Sequence, residues 1–205
     1  MIKKQNAMKA LKYILFSIIG LLVIYLSFGL IHPAVHYGTE ITVNKSVEEA
    51  WAVAEDESKF SQWLEGFQSM ELISGKEKEI GSKYKVIVNP GNGQDDFEMI
   101  ETLIARKENE HIEMHFDSDM MDFEQIVTYT EEEGKTKIKS DSKVIGKNIF
   151  TKSMFALMEI MGGTFSAQEA KNFGNLKKLI DENSTNYSPP VNGQKVVVAG
   201  KKTVD

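Results

Sequence analysis

Between residues 40 and 147 apolar residues tend to alternate with polar ones, the period of a strand with one covered face. After residue 147 they recur every third or fourth position, the period of a helix. Glu40-Ile41-Thr42-Val43-Asn44 is the first alternating run. Ser46-Val47-Glu48-Glu49 follows it and reads as a capping box, in which the Ser46 hydroxyl meets an orphan amide and Glu49 reaches back. The helix so opened carries Ala50, Trp51 and Ala54 at helical spacing. A second short helix from about Ser58 presents Phe60, Trp63, Leu64 and Phe67. Six further strands are predicted at 70–74, 82–89, 97–107, 112–118, 123–131 and 136–147. The turn residues between them include Gly75, Gly81, Pro90-Gly91-Asn92-Gly93 and Glu132-Glu133-Gly134, and each gap is short enough for an antiparallel hairpin.

The alternation also assigns faces. Tyr84, Val86 and Val88 fall on one side of their strand, as do Ile112, Met114 and Phe116, and Phe123, Gln125, Val127 and Tyr129. Lys137, Lys139, Asp141 and Lys143 stand opposite Ile138 and Val144. The sheet therefore has a wet side and a covered side. The helical pattern from Asn148 to about Asn183 provides the cover. Met154, Met158 and Met161 form one stripe, and Phe173, Leu176 and Ile180 continue at three- and four-residue steps. Gly162-Gly163 interrupts this pattern, at ~1 kcal/mol per glycine relative to alanine, and predicts a break there. Residues 184–205 read as a flexible tail, with Val196–Ala199 a weak strand candidate.

A different pattern occupies the N-terminus. Tyr13 to Ile31 is a run of nineteen residues with no charge, thirteen of them Leu, Ile, Val or Phe. As a helix it is roughly 28 Å long, close to the ~30 Å hydrocarbon core of a bilayer. A buried core helix normally keeps a polar stripe, and this run has none. A cleaved signal peptide is the stronger rival, but its apolar region is typically ~7–15 residues and ends at a small-residue site, whereas here His32-Pro33-Ala34 follows a longer run. An uncleaved anchor is preferred. Lys3, Lys4, Lys9 and Lys12 precede the run, and no lysine or arginine follows it until Lys45. The positive-inside rule then places residues 1–12 in the cytoplasm, residues 13–31 in the membrane, 32–37 as a linker and the folded domain, 38–183, outside the cytoplasm.

Charge and composition narrow the chemistry. The chain carries a net charge of −6; residues 1–31 hold +4, so the rest holds −10. That balance argues against a nucleic-acid partner. With no cysteine in its 205 residues, the protein has no disulfide framework, thiolate metal site or cysteine nucleophile.

The order of strand, two short helices, six strands and a long helix resembles the START/Bet v 1-like superfamily, also called the SRPBCC or polyketide cyclase/dehydrase group. The likeness is carried by Ile41-x-Val43-x-x-Ser46-x-Glu48-x-Ala50-Trp51, then Asp56 and Trp63, then Gly81-Ser82-x-Tyr84, and finally Asn175-Leu176-Lys177-Lys178-Leu179-Ile180. It covers roughly residues 38–183. It implies an α+β helix-grip fold, a curved antiparallel sheet of about seven strands around a long C-terminal helix, here preceded by one transmembrane helix. The anchor and the tail lie outside the family's pattern.

Members of that superfamily include lipid carriers, receptors and cyclases, so function has to come from the residues. His111 and His115, about 13 Å apart along a strand, cannot share a metal and read as surface residues. Asp117, Asp119, Asp122 and Glu124 fit no calcium loop. No motif for a nucleophile, a zinc site or a phosphate cradle occurs. Neither a metal nor a cofactor is predicted, and no catalytic residue is assigned, although Glu101 and Tyr129 are the nearest to an acid or base. The remaining signal is an adaptable apolar interior, read as a cavity in preference to a filled core. Its predicted lining is Trp63, Tyr84, Met114, Phe116, Gln125, Tyr129, Met154 and Met158. The favoured function is a membrane-anchored domain binding a hydrophobic or amphipathic small molecule such as a lipid. A cyclase- or dehydratase-type enzyme and a structural or stress-related domain without a small ligand are the alternatives.

Overall fold

The computed structural model describes residues 2–187, apart from 92, 94 and 186. The candidate strand at 196–199 lies outside the described residues.

The chain opens with helix α1, Ile2–Ile31, so the helix starts eleven residues before the uncharged run. Its portion Leu11–Ile31 is long and apolar enough to cross a membrane and is almost wholly exposed. After His32-Pro33-Ala34 the chain enters the sheet directly. Residues 35–37, expected within a linker, form strand β1 (Val35–Tyr37). Strand β2 (Glu40–Val43), helix α2 (Val47–Ala54), a single turn and helix α3 (Phe60–Trp63) follow. Six long strands come next: β3 (Phe67–Ser74), β4 (Lys83–Val88), β5 (Phe97–Lys107), β6 (His111–Asp117), β7 (Met121–Glu132) and β8 (Lys135–Gly146). The chain closes with α4 (Ile149–Gly162) and α5 (Thr164–Asp181).

All eight strands join one antiparallel sheet in the order β1-β8-β7-β6-β5-β4-β3, with β2 also pairing β8. The eighth strand comes from the supposed linker. Alternation holds along β8, where Lys137, Lys139 and Asp141 are exposed while Ile138 and Val144 are buried. The acidic cluster at the β6–β7 turn meets cations: Lys147 pairs with Asp117 and with Asp122 (2.9 Å), and Lys143 with Glu124 (3.1 Å).

Two helix starts show how capping works in this chain. Ser46 does accept from the Glu49 amide (3.4 Å), but the Glu49 carboxylate does not turn back as a capping box requires. It takes Lys45 Nζ and Asn183 Nδ2, both at 2.8 Å, since a cation and a free amide outcompete one backbone N–H. The full capping box sits at α4, where Asn148 accepts from the Thr151 amide and Thr151 Oγ1 accepts from the Asn148 amide. The break between α4 and α5 falls at Gly163, whose φ of 56° lies in the left-handed region that glycine tolerates best.

The main core lies between α2, α5 and the sheet, with Val43, Trp51, Val53, Leu103, Ile138, Phe173, Leu176 and Ile180 buried together. Each such side chain contributes ~1.5–3 kcal/mol by leaving water. Tyr187, expected in a loose tail, is strapped to this core: its hydroxyl donates to Asp56 Oδ2 at 2.8 Å, and loss of hydration, then this bond to Asp56, push the phenol up to about 12.

The helix stripe does not cover the sheet as expected. α5 does so, whereas α4 is shared: Phe155 packs on Val35 and Val144 of the sheet, and the Ser153 side of the helix packs on α1. Ser153 is buried against Gly29, whose amide donates to Ser153 Oγ at 3.2 Å, and Tyr25 Oη donates to the Phe150 carbonyl at 2.7 Å. Any Cβ at Gly29 would come within 2.6–2.9 Å of Ser153 and Ile149, so only glycine permits this approach.

Candidate functional site

Between the covered face of the sheet and α5 lies a cavity of about 310 Å³, at the lower end of the ~300–1,000 Å³ usual for small-molecule sites. Inward residues of β4 to β7 form its floor, α5 forms its roof, and Phe60 and Trp63 of the short helix close one side. The floor exists because four adjacent strands each put apolar residues on the same parity. Phe116 stacks on Phe123 at 5.1 Å, and Trp63 meets Phe173 edge-on at 6.4 Å.

Of the predicted lining residues, Trp63, Tyr84, Met114, Phe116, Gln125 and Tyr129 surround this space. Met154 and Met158 do not. Met154 packs with Phe155 and Val35 beside α1, and Met158 is 38% exposed on the outer side of α4. Helical periodicity groups those methionines correctly, but it does not say which surface their helix meets. Trp63 is only half-buried, on the cavity wall; the indole sealed in the core is Trp51, 3% exposed and edge-on to Tyr129 at 5.0 Å.

The cavity is more polar than the sequence suggested. At one end Glu101 is buried, and loss of hydration, reinforced by Glu55 and Glu57, pushes its carboxyl up to about 8. It therefore holds a proton at neutral pH and can donate one. Burial also raises Glu55, against the opposing pull of Arg106, whose Nε stands 3.6 Å from Glu55 Oε2. The Arg106 guanidinium lies over the Trp51 ring at 5.1 Å. Burial likewise raises the Tyr129 phenol, so it stays neutral.

At the other end Glu169 of α5 is buried. Its Oε1 accepts from Ser142 Oγ (2.5 Å) and from Gln125 Nε2 (2.8 Å). Its Oε2 has no hydrogen-bond partner, and neither do the buried Trp63 Nε1 and Arg106 Nε. An unpaired buried polar atom costs ~1–3 kcal/mol, so one acceptor and two donors on residues lining one cavity leave three unmet demands. The nearby Tyr37 phenol is raised by burial and then by Glu169 and Glu159.

Two of these groups were recoverable from pattern. Glu169 stands at the head of the stripe Phe173, Leu176, Ile180, and Glu101 shares parity with Met99 and Leu103. Arg106 was not. A register shift between Leu103 and Ala105 reverses parity and brings Arg106 opposite the buried Ile112.

An antiparallel sheet gripping a C-terminal helix, with a lined space between them, defines the helix-grip class of START/Bet v 1-like domains. Within that class the chain belongs to the family described as polyketide cyclase/dehydrase and lipid transport, whose profile matches residues 34–181. Solved structures agree at the level of fold. A conserved protein from Geobacillus kaustophilus aligns with a TM-score of 0.57 and 19% identity, over 71% of this chain and 95% of its own. A START superfamily protein from Mycobacterium smegmatis gives 0.52 and 16%, over 71% and 94%. The di-domain ARO/CYC protein of the steffimycin biosynthetic pathway gives 0.57 and 9%, over 74% of this chain and 52% of its own. No curated protein matches the sequence significantly.

Proposed function

We propose that this protein is a membrane-anchored domain that binds a hydrophobic or amphipathic small molecule, such as a lipid, in the cavity between sheet and α5. The observation that carries this reading is the cavity itself: apolar walls with an unpartnered acceptor, Glu169 Oε2, and two unpartnered donors, Trp63 Nε1 and Arg106 Nε. An apolar body bearing a hydroxyl can donate to the acceptor or accept from one of the donors. A carboxylate headgroup fits worse, because it would stand among Glu55, Glu101 and Glu169, and Arg106 already faces Glu55 across 3.6 Å.

A fluorescent fatty alcohol should therefore bind at least about tenfold more tightly than the fatty acid of equal chain length, a difference of ~1.4 kcal/mol. Met114→Trp, which fills space at the centre of the floor, should weaken alcohol binding by a similar factor and hardly move the unfolding midpoint. Wild type that binds neither probe, or a Met114→Trp variant that loses most of its stability, would sink this reading.

α1 is read as an uncleaved anchor with its lysine-rich start in the cytoplasm, supported by the four lysines before the apolar run and none directly after it. A reporter active only in the cytoplasm and fused after Asp205 should be silent; bright signal would reverse the orientation.

One observation favours a second reading, an enzyme of cyclase or dehydratase type. Glu101 is a buried acid that keeps its proton at neutral pH inside the cavity, the state a general acid requires. Loss of turnover of a polyketide-like substrate in Glu101→Gln, with alcohol binding retained, would put the enzyme first.

A further inference from the structure

α4 is the least explained element of the fold. One side of it meets α1 and another meets the core, where Met154 packs, but Phe150, Leu157, Met158 and Met161 form a separate stripe at helical spacing. Phe150 and Met158 are exposed, and Met161 is 83% exposed. Lys152 and Glu159, the charged residues of α4, lie on the other side of the helix, and Glu159 caps the start of α5 by accepting from the Phe165 amide at 2.9 Å. An apolar stripe of this kind on a soluble domain is normally covered.

Its docking site on α1 fixes the height of its first turn. Ser153 meets Gly29 and Leu26, and Phe150 meets Tyr25. Gly29 lies ~3 Å and Tyr25 ~9 Å along the helix before Ile31, the last apolar residue of the run. If α1 crosses a bilayer with its apolar run in the hydrocarbon, the first turn of α4 sits between those depths. That is the ~5–10 Å at which an interfacial helix buries its apolar face.

We propose that α4 is a membrane-interface helix, with the stripe through Phe150, Leu157 and Met161 inserted among the lipids around α1. This rests on reading α1 as an anchor. The occupant is the bilayer rather than a second copy of the chain because the stripe is continuous with α1, whose neighbouring residues Leu30 and Ile31 are themselves exposed and apolar. α4 joins α5 through Gly163, and α5 carries Phe165 and Glu169 of the cavity, so the ligand site is then held next to the lipid surface.

The absence of cysteine makes the test clean. Single cysteines at Met161, at Leu22 in α1, and at Ile104 on the exposed sheet face carry an environment-sensitive fluorophore. Full-length protein is placed in phosphatidylcholine vesicles containing nitroxide lipids. A nitroxide near the headgroup should dim the label at 161 by about twofold and leave that at 104 unchanged, while one near the acyl terminus should dim that at 22. A dimmed 22 with an undimmed 161 overturns the interface helix and leaves the anchor standing. If neither dims, the anchor itself fails and takes the inference with it. A label at 161 shielded from lipid but self-quenching between labelled copies overturns the inference in favour of a dimer. Phe150→Cys repeats the measurement independently and should match 161.

Discussion

Trp51→Ala is expected to cost ~3–5 kcal/mol of folding stability, the largest loss of any single truncation considered. Trp51 sits at the centre of α2, which Ser46 starts and Ala54 ends, and is 3% exposed. It packs edge-on against Tyr129 and carries the Arg106 guanidinium on its face. Truncation removes the area burial and leaves a void between two rigid elements that cannot collapse onto it. It also removes the platform under Arg106, which loosens the ion pair with Glu55. Trp63→Ala provides the contrast. Trp63 already borders open space, so its loss enlarges the cavity and should cost about 1–2 kcal/mol. Urea unfolding of both variants checks the ranking. A larger loss from Trp63→Ala would mean that the short helix, and not α2, organises the core.

The second large effect is one of pH. The Glu101 carboxyl ionises at about 8 in the folded chain and at its ordinary 4.5 when unfolded. Below pH 4.5 both states are protonated and Glu101 imposes no penalty. As the pH rises towards 8 the unfolded chain releases its proton while the folded chain keeps it, so stability falls through that window and levels off above it. Glu101→Gln cannot titrate. Relative to wild type the variant should therefore be near neutral below pH 4.5 and more stable by ~3–5 kcal/mol above pH 8. The difference between the two unfolding free energies, followed across the window, isolates Glu101 from other titrating groups. A constant difference would show that Glu101 is hydrated and that its end of the cavity is open to water.

The sheet was legible because each strand has one wet face, so parity carries the information. Lys137 to Lys143 on one side and Ile138 and Val144 on the other leave β8 no second register. The break at Gly162-Gly163 was legible for a similarly local reason. What escaped were choices made between elements. A methionine stripe states that something must cover it, but α4 turns its Ser153 side to α1, through the close approach at Gly29, and leaves Met158 and Met161 exposed. Val35–Tyr37 is too short to alternate visibly and is a strand only because β8 offers an edge. The polar half of the site was hidden in two ways. A glutamate on an apolar helix stripe is readily dismissed as surface, although Glu169 falls on the same turn positions as Phe173 and Leu176. The irregularity in β5 that turns Arg106 inward has no local signature of its own.

The three residues between Ile31 and Val35 have a mechanical consequence. Fully stretched they span ~10 Å, and β1 is hydrogen-bonded to β8 as soon as they end. Ser153 and Phe150 fasten the same helix to the other side of the domain. The protein thus has no tether. A domain on a long linker can sweep a volume and fetch its cargo from a distance, whereas this one has almost no slack and keeps a single attitude to α1. With α1 as an anchor and a ligand in the cavity, as proposed above, that molecule has to be delivered within a radius no larger than the domain itself.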